Sequence, residues 1–349
     1  MQSSPHIGWF ADIGLSDRPT VGGKGGSLGE LTKAGISVPP GFVVRTAAFE
    51  TFLQALEAQG PVRALIEALD ADDLAAVTAC SADLRARVEG AELPGALRAE
   101  ISAAHAALCD ADPSAPVAIR SSATTEDAED ASFAGLQDTF LWVKGADSAL
   151  AHIRTCWASL YSVESITYRR KQGIPEAGVA MAVVVQRMVD ARTAGVMFTR
   201  SPTTGDRSVI AIEASWGLGS AVVGGEVTPD RFVIGKITGE IPVRDISLKH
   251  IEHLPLPEGG VQEVEVPLER QKAQCVSDEE LMALRAIARQ VERHYGRPQD
   301  IEWAIDRSGA ILLLQSRPET VWSSKDQPPA AKPLDNPLEH VMGIFGGRR

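Results

Sequence analysis

Residues 298–318, PQDIEWAIDRSGAILLLQSRP, decide how the rest of the chain is read. Two apolar runs, Ile301–Ile305 and Ile311–Leu314, flank the turn signal Asp306-Arg307-Ser308-Gly309, which is the pattern of a β-hairpin. With Asp306 opposite Ile311 across a four-residue loop, Glu302 falls opposite Gln315 and Asp300 opposite Arg317. Strand side chains alternate with period two, so these four polar groups share one face. A three-residue loop would shift that register by one. Charged groups in an otherwise aliphatic hairpin cost free energy unless they are paired or ligate something. Two readings stay open at this point. One is an ion pair on a sheet edge; the other is a carboxylate and an amide oxygen holding a hard cation, with an arginine reaching a phosphate.

The chain has 349 residues, which suits two lobes of ordinary size. A hydrophobic content of 44% and a charged content of 23% are those of a soluble globular protein. A formal net charge of −12 repels polyanions, which argues against a general nucleic-acid binder or a binder of anionic membranes. Cys80, Cys109, Cys156 and Cys275 form no C-x-x-C pair, so neither a zinc knuckle nor a redox dithiol is indicated. The N-terminus lacks the basic and apolar regions of a signal peptide, and no apolar run is long enough to span a membrane. A cytoplasmic setting is expected.

Outward from the hairpin, the first stretch that suggests chemistry is Val21–Leu31, VGGKGGSLGEL. Its glycines free the backbone to approach a ligand, and Ser27 with Glu30 reads as a capping box that opens a helix. A helix N-terminus offers unpaired N–H groups to an anion, and Lys24 adds a charge. The Walker A spacing fails, because Gly25 follows the lysine. Alone the stretch is a weak signal, and a glycine-rich turn into a helix with an exposed lysine is its more common explanation. Thr46 to about Asp110 reads as at least three packing helices, punctuated at Gly60-Pro61 and Pro94-Gly95.

Val117-Ala118-Ile119 is a short strand closed by Arg120, whose fork suits a phosphate or simply ends the strand at the surface. The loop around Gly135, with hydroxyls at Ser132 and Thr139, has the composition to cover an anion with backbone N–H groups. Residues 146–172 read as one long helix whose terminal Tyr168-Arg169-Arg170-Lys171 complements the helix dipole. Val179–Val189 is a near-continuous apolar strand interrupted by Gln186, an amide either satisfied by backbone or aimed at a ligand. Ser277 with Glu280 opens a helix that stops at Gly296 and delivers the chain to the hairpin.

These stretches together resemble the N-terminal nucleotide-binding domain of the phosphoenolpyruvate synthase and pyruvate phosphate dikinase family, which includes rifampin phosphotransferase. The resemblance covers about residues 10–322 and rests on VGGKGGSLGEL, PPGFVV, AIRSSATTED, SFAGLQDTFL, AGVMFTRSP, WGLGSAVVGG, PQDIEW and LLLQSRP, in that order. It implies an α+β, two-lobed ATP-grasp fold, with ATP between the lobes. Residues 1–180 would form the N-terminal lobe, 181–322 the C-terminal lobe, and 323–349 a proline-rich linker and tail. By matching motif position, the resemblance assigns Lys24 and Arg120 to the ATP phosphates, with Gly135 and Thr139 in the loop that covers them. It puts Gln186 on the strand lining the adenine pocket, Glu302 and Gln315 on magnesium, and Asp300 and Arg317 in charge of positioning the phosphates.

The resemblance also implies a partner. Enzymes of the family pass the β-phosphoryl group of ATP to a histidine on a swivelling domain, with AMP and phosphate as products. The seven histidines here do not lie in the glycine- and threonine-flanked context of that carrier. A phosphohistidine-carrying subunit or domain and a small-molecule acceptor handled by it are therefore expected. Phenol is the leading acceptor, because the separate ATP-binding subunit of phenylphosphate synthase is a similar split case. An ATP-binding part of a phosphoenolpyruvate synthase or rifampin phosphotransferase, or a regulatory module that holds ATP without turnover, are the alternatives. In the tail, Leu338, Val341, Met342 and Phe345 fall at helical spacing, which suits docking to the partner, while a frayed terminus or packing on the domain itself is the more common outcome for such a segment.

Overall fold

The run Met181–Val185 is apolar on both faces because it is covered on both faces. The computed structural model describes residues 4–110, 112–124, 138–320 and 322. Strand β1 (Ile7–Trp9) leads through helix α1 (Arg18–Lys33) to β2 (Gly41–Val44). Helices α2 (Thr46–Glu57), α3 (Arg63–Glu67), α4 (Leu74–Gly90) and α5 (Gly95–Cys109) follow. Then come β3 (Val117–Ala123), β4 (Thr139–Val143), α6 (Ala146–Ala158), α7 (Val163–Lys171) and β5 (Met181–Arg187). The five strands form one antiparallel sheet in the order β1-β2-β5-β3-β4. Met181, Val183 and Val185 of β5 face the helical core around Phe52 and Trp157, whose rings stack at 5.1 Å. Ala182 and Val184 face the other way, against Val21 and Leu28 of α1.

The chain then crosses to a second sheet. Strands β6 (Ala191–Phe198) and β7 (Val209–Trp216), the short helix α8 (Ser220–Val223), and strands β8 (Asp230–Gly235) and β9 (Val243–Asp245) come first. A two-stranded ribbon of β10 (Ile251–Pro255) and β11 (Val261–Glu265) follows, then α9 (Leu268–Gln271), α10 (Asp278–Tyr295), β12 (Gln299–Asp306) and β13 (Ile311–Pro318). The second sheet runs β13-β12-β6-β7-β8-β9. Helix α10 opens with the Ser277/Glu280 capping box and closes at Gly296 in the left-handed region, φ 67°. Its Leu281, Leu284, Ala288 and Val291 pack on Ile301, Trp303 and the core face of the sheet. Each buried leucine there stabilises the layer by roughly 1.5–3 kcal/mol. The opposite face carries Glu302, Val196 and Glu213 at one register across β12, β6 and β7. Among the described residues no helix is long and apolar enough to cross a membrane.

Several expectations change. A boundary at 180/181 would put β5 with the second lobe, yet β5 lies between β2 and β3 of the first sheet, so the crossover follows Arg187. The long helix over 146–172 is two helices, because the Ser162 hydroxyl accepts from Ser165 N–H and starts α7 afresh. Arg169 does not serve the helix dipole from the surface. It is fully buried, donates to both oxygens of Glu176, and bonds Leu160 O at 2.8 Å.

Candidate functional site

Helix α1 is where the first sheet prepares the site. Its backbone breaks at Gly22 (φ 72°, ψ 176°) and starts again, leaving Lys24 in the first turn of the restarted segment. Only glycine fits this break, since a Cβ at Gly22 would come within 2.2 Å of the Ser122 carbonyl oxygen. Ser122 of β3 donates to Val21 O at 2.9 Å and accepts from Gly25 N–H at 3.1 Å. The expected capping box does not form. Ser27 lies inside the helix and donates to Ser316 O of β13, while Glu30 accepts from Leu15 N–H and pairs with His294 of α10. Helix α1 therefore bridges the two sheets, and Lys24 is buried rather than displayed, with 5% of its surface exposed. Lys24 and Asp138 both act on the thiol of Cys156 in α6, which burial pushes up, Asp138 pushes further and Lys24 opposes.

The hairpin of β12 and β13 supplies the other side. Glu302 lies opposite Gln315 and Asp300 opposite Arg317, as the polar spacing requires. The tip differs from the expectation, because Ile305 rather than Asp306 pairs with Ile311 and the loop spans residues 306–310. Asp306 organises that loop by accepting from Ser308 N–H, Ser308 Oγ and Ala310 N–H, and these bonds hold its carboxyl below the usual range. A bulge between Glu302 and Trp303, with Leu314 as the extra residue on β13, restores the polar register.

Arg120 joins the two sheets at that bulge. Its Nη1 donates to the Leu314 carbonyl at 2.8 Å, and its Nη2 donates to Glu302 Oε2 at 3.0 Å and to Gln315 Oε1. Arg120 has 8% of its surface exposed, and its Nε is buried without a partner among the described residues. Beside it, Arg317 Nη2 and Nε reach Asp300 Oδ2 at 2.7 and 2.8 Å. Burial pushes the Asp300 carboxyl up, Arg317 pulls it down, and Glu302 and Glu319 add to the rise. The arginine is half-exposed, so it presents a cation to solvent from a carboxylate that is mostly buried.

The remaining expected positions fall as follows. Gln186 pairs with Ala118 while Arg120 pairs with Val184, so by period two Gln186 shares the sheet face of Arg120. Its amide donates to Pro39 O at 3.1 Å, which is the backbone-satisfied alternative. Thr139 is exposed on β4 directly opposite Arg120. Gly135 and the tail from 323 onward lie outside the described residues.

Two features escaped the sequence reading. Arg200 follows the apolar end of β6 as Arg120 follows the run Val117–Ile119 in sequence, so the same signal was there to be read, although Arg120 itself lies within β3 rather than at its close. Arg200 is buried, donates to Gly205 O at 2.8 Å, lies 4.0 Å from Glu319 and sits 5.6 Å over the Trp322 ring. The second is an apolar patch of Val189, Ala194, Leu218 and Ala304, against which Trp142, Met188 and Leu314 pack where the chain crosses between sheets. No periodicity marks it, because its members come from separate strands and loops.

The donor set suits a hard divalent cation. Glu302 and Gln315 both offer oxygen, and both already turn that oxygen towards one positive group, Arg120. An arginine with an unused buried Nε, a buried lysine at a helix start and a paired, half-exposed Arg317 suit an oxyanion-rich ligand.

Comparison with known proteins gives three results. Residues 18–337 match the family described as pyruvate phosphate dikinase, AMP/ATP-binding domain. A probable phosphoenolpyruvate synthase of Methanothermobacter thermautotrophicus is 43% identical over 317 residues, 90% of this chain and 46% of that protein. The phosphoenolpyruvate synthase of Pyrococcus furiosus is 37% identical over 355 residues, covering 90% of this chain and 44% of that one. The chain thus spans under half the length of these relatives. Among solved structures, D-cycloserine synthetase DcsG aligns over 82% of this chain and 59% of its own, with 13% identity and a TM-score of 0.25.

Proposed function

Because the chain belongs to the pyruvate phosphate dikinase AMP/ATP-binding domain family, we propose that it holds Mg-ATP between its two sheets, as an ATP-grasp fold does. In this reading it passes the β-phosphoryl group to a histidine on a partner subunit or domain, leaving AMP and phosphate, in a cytoplasmic setting. The observation that carries the reading is the meeting of Arg120, Glu302 and Gln315 from two different sheets.

Each residue then has a task in this reading. Glu302 and Gln315 supply oxygen ligands to the magnesium ion, with Arg120 and Lys24 binding phosphate oxygens. Bound magnesium would neutralise charge on those oxygens. Asp300 fixes the orientation of Arg317 through two bonds to one oxygen, so the guanidinium is held ready for a phosphate. Thr139, at the start of β4 opposite Arg120, would help cover the phosphates, a role the resemblance also gives Gly135, and Gln186 would lie on the strand beside the base. Phosphoryl transfer asks chiefly for positioning and charge neutralisation, which is what this set provides.

The names of the relatives favour a phosphoenolpyruvate-forming assembly as the setting, with a phenol-phosphorylating one second. The presence together of Lys24, Arg120, Glu302, Gln315 and Arg317 argues against a module that holds ATP without turnover. Product analysis tests the proposal. With ATP, magnesium and a histidine-bearing partner, AMP and phosphate should accumulate together, and adding pyruvate or phenol should then identify the acceptor. ADP as the product, or no turnover with any such partner, would overturn it.

A further inference from the structure

The ribbon of β10 and β11, a sheet separate from that of the hairpin, carries a second cluster with ligand chemistry. His253 lies directly opposite Glu263 across the ribbon. Glu226, just beyond α8, reaches the His253 ring at 3.0 Å from its Nε2. One ligand atom from each of Glu226, His253 and Glu263 lies within 4.8 Å of the other two. We propose that Glu226, His253 and Glu263 form a binding site for a divalent ion of the zinc class, which clamps the ribbon onto the loop around α8.

Three observations carry this beyond a chance meeting of exposed side chains. The first is the orientation of the imidazole. Ser220 Oγ lies 2.8 Å from His253 Nδ1, so the ring is held with Nε2 towards the two carboxylates. A ligating histidine is commonly fixed in this way through its other nitrogen. The second is the backbone beneath it. Leu218 N–H donates to His253 O at 3.0 Å, and a parallel bridge joins Gly217 to His253. Gly217 has φ 71°, and a Cβ there would come within 2.6 Å of the same carbonyl oxygen, so the two segments are pressed together at this point. The third is access. The site borders an open cavity of about 620 Å³ lined in part by Ser220, His253 and Glu263, which gives an ion a path in from solvent.

The donor types select the ion. One imidazole and two carboxylates offer a borderline nitrogen and two negative charges, which suit Zn²⁺ or Co²⁺ with water completing the shell. Magnesium takes oxygen ligands and gains nothing from the imidazole. A tetrahedral centre with bonds of about 2.1 Å needs ligand atoms roughly 3.4 Å apart. The His253–Glu226 pair, at 3.0 Å, has to open slightly to reach that spacing, and Glu263, being exposed, can rotate to meet it. Without an ion, the same residues would amount to a His253–Glu226 contact with Glu263 alongside.

Cobalt is the probe, because its visible d–d absorption reports coordination directly. The full chain, stripped of metal and kept in excess Mg²⁺ to occupy all-oxygen sites, is titrated with Co²⁺ and then with Zn²⁺. The expected result is saturable binding of one Co²⁺ per chain, displaced by Zn²⁺. Glu263→Gln and Glu226→Gln should each weaken it about 100-fold or more, while Glu302→Gln leaves it unchanged. Zn²⁺ should also raise the unfolding temperature of the unsubstituted chain and fail to do so for either carboxylate variant. The two carboxylate variants are the decisive ones, since both positions are exposed and tolerate a glutamine, whereas His253 is tied into the backbone contact. No saturable site, or equal binding by all three variants, overturns the proposal.

Discussion

The Arg120 guanidinium on the first sheet donates at 3.0 Å to Glu302 Oε2 on the second, across 182 residues of sequence. The same Nη2 reaches Gln315, and Nη1 takes the Leu314 carbonyl. One side chain therefore ties the two sheets together at the bulge and neutralises the Glu302 carboxylate.

Arg120→Met should loosen that junction. It strands the Leu314 carbonyl and leaves Glu302 without its cation, and Glu302 keeps enough exposure to be partly rescued by water. A loss of about 1–3 kcal/mol is expected, less than for a fully buried pair. Denaturant titration checks this, and Arg120→Lys should fall between the two because it keeps the charge and loses the fork. An unchanged midpoint in Arg120→Met would mean that other contacts hold the sheets together.

Glu302→Gln should fold normally, since the amide can still accept from Arg120. Phosphoryl transfer with the histidine-bearing partner should fall on the order of a hundredfold, about 3 kcal/mol of barrier. Turnover rates at saturating magnesium are the measurement. Near-normal rates would remove Glu302 from the metal site.

Gly22→Ala tests the break in α1. The new Cβ meets the Ser122 carbonyl, and φ 72° is unfavourable for any side chain. We expect a loss of at least ~2 kcal/mol in stability, together with weaker ATP binding because Lys24 shifts with the helix start. Calorimetric titration with ATP on the folded fraction separates the two effects. Full ATP affinity in that fraction would mean that Lys24 does not depend on the break.

Asp300→Asn should change how stability depends on pH. Burial, partly offset by Arg317, raises the folded-state carboxyl above its ordinary value of 3.8. The folded state therefore holds the proton more tightly than the unfolded chain. The stability this group contributes is complete below its ordinary value and is lost as pH rises through the raised one. Relative to the unsubstituted chain, the asparagine variant should gain stability over that rise and keep the gain at neutral pH, while transfer activity falls because Arg317 is no longer held by a charge. Unfolding curves at a series of pH values decide it. A constant difference between the two proteins across the series would show that the group is not perturbed.

What the sequence determined by itself is the local pattern. The period-two alternation of Asp300, Glu302, Gln315 and Arg317, the capped α10 ending at Gly296, and the continuous apolar run of β5 each depend on neighbours a few residues away. Steric and hydrogen-bonding preferences at that range act on the residues themselves, so they can be read directly. The tertiary structure decided the rest. It placed β5 in the first sheet, buried Arg169 on Glu176, and turned Ser27 from a supposed cap into a tie to Ser316. It also set the bulge that brings the Leu314 carbonyl to Arg120, a detail that hairpin periodicity cannot contain because the partner comes from another sheet. A polar side chain's need for a partner is a property of the residue and visible in the sequence. Which partner it finds depends on how two independently formed layers dock, and that is settled by the burial of whole faces rather than by any local spacing.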